Sequence, residues 1–227
     1  MRKTDKQKYL TVDQYKKFLV SINNLYFYVL FYIIGNYGLR VGEAIRLRIQ
    51  DVNFDSKYIK IPTLKQDRHG KGSLAYGKLP DTYIDMPLDD KTALLLLKFI
   101  DYIKMPKNEW LFPYKKGYYK GKNILSHIPK WLIQRKFKKY AKQAGLDPVY
   151  SVHSLRHYKG VSVYKNFKDI RAVQLLLRHK NINSTVIYTT MSLEDKRDLF
   201  DKLLIIDGGD NKKIQEGIQR SILKKKI

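Results

Sequence analysis

Four short stretches of this chain hold residue types suited to attack on a phosphodiester. Gly38-Leu39-Arg40-Val41-Gly42-Glu43 sets an Arg at a helix start with a carboxylate three residues on. That spacing steadies the guanidinium so that its fork can meet phosphate oxygens. Lys65, Lys71 and Lys78 lie in a long, basic, Gly-bearing segment. His153-Ser154-Leu155-Arg156 puts an imidazole and a guanidinium at i and i+3, on one helix face. Arg178-His179 is followed by Tyr188, nine residues after the His. A phosphoryl transition state gathers negative charge on its equatorial oxygens, and preorganised Arg and His donors stabilise that charge. A Tyr hydroxyl, with a pKa of about 10, becomes a good nucleophile only in a cationic pocket or beside a base. Arginines can then stand in for a metal ion; no carboxylate cluster suggests one, and no cofactor is expected.

Taken singly these residues say little. A lone Arg40 is as readily a surface partner of Glu43, and Tyr188 is one of 18 tyrosines. His69 and His157 we assign to solvent or packing.

The elements that must position these residues can be read from periodicity. Thr11 caps a short amphipathic helix, VDQYKKFLVSI. Residues 24–35 form an apolar helix stopped at Gly38. Val41 to Ile49 reads as a further helix with Val41, Ala44, Ile45 and Leu47 inward and Arg46 and Arg48 outward. Tyr58 to Ile61 and Thr82 to Met86 alternate as strands, predicting a hairpin or three-stranded sheet whose long connection holds the lysines. Asp90 to Ile103 reads as a helix apolar nearly all round, hence buried. Lys130 to Ala144 is a basic helix closed by Gly145. Leu155 to Tyr164, Ile170 to Leu177 (capped by Asp169) and Thr185 to Tyr188 are shorter helices, and Leu193 to Ile206 is amphipathic. The expected class is mainly α-helical with a small antiparallel sheet: one domain over 1–206, then a basic tail over 207–227.

Composition narrows the partner. The chain has 227 residues with 45 Lys and Arg against 21 Asp and Glu, a net charge of +24. With 44 % apolar and 13 % aromatic residues it can bury a core, which excludes disorder as the overall state. Such a charge opposes compaction, and a polyanion relieves it. From Trp110 to Leu146 there is no acidic residue. The cations of that stretch are Lys115, Lys116, Lys120, Lys122, Lys130, Arg135, Lys136, Lys138, Lys139 and Lys142, and we read them as a nucleic-acid surface. Its aromatics we read as core, built on Trp131, Phe137 and Tyr140. There is no Cys, which excludes disulfides and thiolate metal sites. The longest apolar run, Leu25 to Ile34, has ten residues, short of the roughly 20 that span a bilayer. No membrane partner is therefore expected.

NYGLRVGEAIRL, SVHSLRH and LLLRHKNINSTVIYTT, in that order, resemble the catalytic domain of the tyrosine recombinases, the phage-integrase family. Its pattern is an Arg in a Y-G-L-R-x-x-E stretch, a hairpin Lys, H-x-x-R, L-x-H and a nucleophilic Tyr. The 32 residues from Arg156 to Tyr188 and the nine from His179 to Tyr188 fit its spacing, and the likeness covers about residues 10–205.

The resemblance implies a recombinase or integrase that cuts and rejoins double-stranded DNA without metal or ATP. Tyr188 would form a 3′-phosphotyrosine. Arg40 and Arg156 would hold the non-bridging oxygens, with His179 bonded to the same phosphate. His153 would act as base or phosphate ligand, and a hairpin Lys would protonate the leaving 5′-oxygen. Lys65 is the first choice for that acid, with Lys71 and Lys78 as alternatives, because the connection is longer than the family's usual turn. Glu43 would support Arg40.

Alternatives are a type IB topoisomerase or a non-catalytic DNA-binding module of the same fold. The resemblance further implies a dimer or tetramer on DNA, coupled through residues after the nucleophile, and a cytoplasmic, nucleoid-bound enzyme of a virus or other mobile element. The family's usual N-terminal clamp has no counterpart in the ten residues before the first helix, so a fragment or a minimal enzyme with weaker, less specific DNA binding is expected.

Overall fold

The computed structural model describes residues 9–63, 82–107, 109–119, 122–179 and 182–186. Its first helix, α1 (Val12–Val20), opens on a reciprocal cap: Thr11 Oγ1 accepts from the Gln14 amide at 3.2 Å and Gln14 Oε1 from the Thr11 amide at 2.9 Å. Asn24 caps α2 (Leu25–Tyr37), whose run from Val29 to Ile34 is buried. Such an all-round apolar helix has no solvent face to offer and becomes the spine of the core. Gly38 ends it at φ 57°. A Cβ there would also come within 2.5 Å of Leu177 Cδ2, so two constraints require glycine.

The expected helix over Val41 to Ile49 is only one turn, α3 (Val41–Ala44), followed by a 3₁₀ turn at Ile49–Asp51. Tertiary bonding overrides the helical pattern. The Leu47 carbonyl accepts from the Leu111 amide at 2.8 Å, and the Ile49 amide donates to the Glu109 carbonyl at 3.0 Å. Arg46 and Arg48 do not point outward. Both are half-buried, Arg48 lying 4.6 Å over the Trp110 ring.

Three antiparallel strands follow, in spatial order β1 (Val52–Asn53), β2 (Tyr58–Thr63), β3 (Thr82–Pro87), with Ile61 opposite Ile84. The β2–β3 connection, with Lys65, Lys71 and Lys78, lies outside the described residues.

Helix α4 (Asp90–Ile103) has the expected bounds but not the expected burial. Leu96 and Phe99 are fully buried, whereas Leu94 and Leu97 are 54 % and 49 % exposed. Packing uses one stripe of the helix, and leucine on the others remains at the surface.

The acid-free stretch holds an unforeseen hairpin, β4 (Pro113–Tyr119) and β5 (Lys122–His127), with an irregularity between Lys115 and Gly117. Helix α5 (Lys130–Gln143) follows, and Gly145 at φ 68° turns the chain after it. Phe137 and Tyr140 are core, but Trp131 is 54 % exposed, with the Arg135 guanidinium 4.9 Å over its ring.

Two longer helices complete the framework. Helix α6 (Val152–Phe167) begins three residues before the expected start and so includes His153; α7 (Ile170–Leu177) has its Asp169 cap as read. Helix α8 is described over Asn183–Val186, starting two residues before the expected Thr185, and the expected end at Tyr188 lies outside the described residues.

Around α2, Phe18 of α1 and Phe137 of α5 meet at 4.8 Å, with Phe31 at 5.4 and 5.9 Å from them. On another side Tyr26 meets Phe99 and Phe112. Helix α6 packs along α2, and α7 closes on α6 through Val163, Val173 and Leu177. The chain divides after Tyr188 into two units; Leu193 to Ile206 and the tail fall in the second, outside the described residues. No helix among the described residues is long and apolar enough to cross a membrane.

Candidate active site

Three turns bring the candidate residues together. The α2–α3 turn presents Arg40 and Glu43, the first turns of α6 present His153 and Arg156, and the end of α7 presents His179. Glu43 is the buried hub. Its Oε1 accepts from Arg40 Nη1 at 2.7 Å, and its Oε2 accepts from the Arg40 amide at 2.8 Å and from Arg178 Nη2 at 3.0 Å. Arg156 Nη1 lies 3.8 Å from the same Oε2. Burial pushes the Glu43 carboxyl up, but Arg178, the Arg40 amide, Arg156 and the Arg40 guanidinium together hold it below the usual carboxylate range. Three guanidinium charges therefore surround one carboxylate charge, leaving the cluster with a surplus of positive charge suited to an anion.

Arg156 is 1 % exposed. Its Nη1 donates to the Gly38 carbonyl and its Nη2 to the Leu177 carbonyl. It thus ties the turn holding Arg40 to the turn holding His179. Arg40 is the more accessible of the two, with its side chain 30 % exposed.

Both imidazoles are shifted toward the neutral form. His179 Nδ1 is 2.9 Å from Oγ1 of the buried Thr185, which orients the ring. Burial, then Arg156, Arg40 and Arg178, pull its pKa down to about 4. His153, exposed at the start of α6, is also shifted below its ordinary value, by partial desolvation and then by Arg156 and Arg40. His157, assigned from sequence to solvent or packing, meets His153 edge-on at 4.5 Å.

Two residues escaped the sequence reading of roles. Arg178 was seen only as the neighbour of His179, yet it supplies a third guanidinium. Local pattern did not mark it, because its place is set by the left-handed end of α7 and by partners distant in the chain. Thr185, the partner of His179, had no signal beyond its place in the Asn-Ser-Thr start of α8. Tyr188 lies outside the described residues, as do the three candidate lysines.

Among the basic candidates on α5, Lys130, Arg135, Lys139 and Lys142 are exposed. Lys136 is half-buried with its ammonium 5.1 Å over the Phe27 ring. Lys138 is engaged internally, donating to the Pro148 carbonyl and, at 2.7 Å, to the Tyr150 carbonyl. Lys115 is exposed on β4; Lys116 and Lys122 stand in the hairpin, and Lys120 falls outside the described residues. Among the described residues, no group of three or more His, Asp or Glu is placed to hold a metal ion.

Known proteins are similar to this chain in sequence and in fold. Residues 8–194 match the phage integrase family. The tyrosine recombinase XerA of Pyrococcus horikoshii is 33 % identical over 202 residues, covering 88 % of this chain and 62 % of its own length. A tyrosine recombinase XerC of Caldanaerobacter subterraneus subsp. tengcongensis is 30 % identical over 199 residues, covering 86 % and 50 %. This chain thus spans between half and two thirds of the length of these two relatives. A crystal structure of XerA recombinase superposes with a TM-score of 0.68 at 22 % identity, over 89 % of this chain and 65 % of that one. The XerH site-specific recombinase bound to palindromic difH substrate, a post-cleavage complex, superposes at 0.62 with 25 % identity, over 88 % and 53 %. With the family matched over most of its residues and the fold shared, the chain belongs to the phage integrase family and carries the fold of a tyrosine recombinase catalytic domain.

Proposed function

We propose that this chain is the catalytic part of a site-specific DNA recombinase that cuts and reseals strands through Tyr188. The observation that carries this reading is the convergence of Arg40, Arg156 and Arg178 on one buried carboxylate, with His153 and His179 near enough for Arg156 and Arg40 to act on their charge.

Tyr188 Oη attacks the scissile phosphorus, its proton passing to a base, for which His153, with its imidazole shifted toward the neutral form, is suited. The bond to the 5′-oxygen breaks, leaving a 3′-phosphotyrosine and, after protonation by a hairpin lysine, a free 5′-hydroxyl. Lys65 is the first choice for that acid, with Lys71 and Lys78 the alternatives. Arg40 and Arg156 stabilise the non-bridging oxygens, with His179 hydrogen-bonded to the same phosphate. The covalent bond conserves the phosphodiester energy, so a second 5′-hydroxyl reseals the strand without ATP.

The partner is double-stranded DNA, gripped by the acid-free stretch, and the active assembly is a dimer or tetramer on that DNA. The cellular setting we propose is a nucleoid-bound enzyme of a mobile element. Membership in the phage integrase family favours this reading over a type IB topoisomerase.

A nicked suicide duplex bearing the cognate site tests it. Wild type is expected to give an SDS-resistant protein–DNA species that Tyr188→Phe does not form. An adduct that persists in Tyr188→Phe removes Tyr188 from the role. No adduct with wild type returns the chain to a DNA-binding module.

A further inference from the structure

Arg178 occupies a place where an arginine is doubly costly. It ends α7 at φ 56°, ψ 44°, a left-handed conformation in which a Cβ crowds the following carbonyl and glycine is the ordinary choice. Its side chain is 2 % exposed, and its Nε is buried without a partner among the described residues. The compensation lies in what the fork reaches. Nη2 donates to Glu43 Oε2 at 3.0 Å and to the Gly38 carbonyl at 3.1 Å. Nη1 donates to the Leu176 carbonyl at 2.7 Å and to the Tyr37 carbonyl at 3.3 Å. One guanidinium therefore fastens the end of α2 to the end of α7 and takes the Glu43 oxygen that faces Arg156.

We infer that Arg178 is a positioning residue: by holding Glu43 it fixes the carboxylate that orients Arg40 and keeps Arg156 from collapsing onto it. The geometry supplies the reason. Glu43 Oε1 is bonded to Arg40 Nη1, so the carboxylate's orientation sets that of the exposed guanidinium. Arg156 Nη1 stands 3.8 Å from Oε2, beyond hydrogen-bond range, and donates instead to the Gly38 carbonyl. With Arg178 removed, Arg156, already 3.8 Å from Oε2, can close on it. Its capture by the carboxylate would draw it away from the carbonyls of Gly38 and Leu177 that set its place. This role rests on the recombinase reading, because the geometry it protects is that of the phosphate donors.

The test uses the full chain and the nicked suicide duplex under single-turnover conditions. Wild type, Arg178→Gly, Glu43→Gln and the double variant are compared, with non-covalent affinity for the same duplex measured separately in Tyr188→Phe backgrounds. Glycine suits the left-handed turn, so Arg178→Gly removes the guanidinium while easing the backbone. Cleavage by Arg178→Gly is expected to slow about 10²-fold at saturating DNA, with Kd little changed. Glu43→Gln should slow cleavage comparably, the double variant should be no slower than the slower single, and added methylguanidine should restore rate to Arg178→Gly but not to Glu43→Gln.

A wild-type rate in Arg178→Gly, or single-variant effects that multiply in the double, overturns the role. Should Arg178→Gly fail to fold, Arg178→Lys takes its place, because a single ammonium lacks the two-armed fork. Slowed cleavage by folded Arg178→Lys supports the inference and a wild-type rate overturns it. If wild type forms an adduct and these variants match it, only the positioning role falls. If wild type forms none, the recombinase reading falls and takes this inference with it.

Discussion

Removing the Glu43 carboxylate would strand the buried guanidiniums of Arg178 and Arg156 without their shared counter-ion. Breaking a buried pair in this way costs about 3–5 kcal/mol, so Glu43→Ala should lower the unfolding free energy by that order in a denaturant titration. A loss within the range of a surface substitution would contradict the hub. The imidazoles make a separate, pH-resolved prediction. His179 has its pKa depressed from 6.5 to about 4, so folding disfavours its protonated form. Its neutral form is already dominant above pH 6.5, and there it adds no slope. Between pH 6.5 and 4 the unfolded chain binds the proton and the folded chain does not, so stability falls as pH falls. Melting temperature against pH should therefore drop less steeply in His179→Gln than in wild type across that window, and the two curves should run parallel from pH 7 to 9. Parallel curves below pH 6.5 would contradict a desolvated His179. At this scale the motifs of the sequence singled out Arg40, Glu43, His153, Arg156 and His179, which the fold brings to neighbouring turns, while their roles remain those proposed. Arg178 was not legible as a participant, because its role depends on a left-handed turn and on contacts 135 and 140 residues away.

The elements were legible where local pattern and tertiary demand agree. Helix α2 is apolar on every face and buried, and α7 carries an Asp cap and an apolar stripe; both were found near their observed bounds. Legibility failed where the two diverge. The α3 segment breaks after one turn because residues 109–111 take its backbone groups. Strands β4 and β5 are built from PYKKGYY and KNILSH, whose Lys and Gly hide any alternation, so only long-range pairing reveals them. Helix α4 was found, but a run of leucines does not tell which of them face the core. The turn between α2 and α3 tests the framework as a whole. Gly38→Ala forces a Cβ into a left-handed turn and against Leu177. Overpacking of this kind costs about 1–3 kcal/mol, and the loss should appear as a lower melting temperature together with slower cleavage. An unchanged melting temperature would mean that the turn yields more easily than the packing implies.

Across the whole molecule the dominant quantity is the net charge of +24. If the basic face grips phosphates, log Kd for duplex DNA should vary linearly with log salt, and replacing Arg135, Lys139 or Lys142 by Ala should each reduce the slope by about 1. Lys138 is expected to behave differently. Because its ammonium is bonded to the carbonyls of Pro148 and Tyr150, Lys138→Ala should lower stability while leaving the salt slope nearly unchanged. Equal slope changes at all four positions would erase that distinction. The claim on which the rest depends is covalent, and peptide mapping reaches it most directly. The adduct formed on a suicide duplex, digested with nuclease and protease and sequenced by tandem mass spectrometry, should carry its nucleotide phosphate on Tyr188; a nucleotide found on any other residue, or on none, would contradict the account.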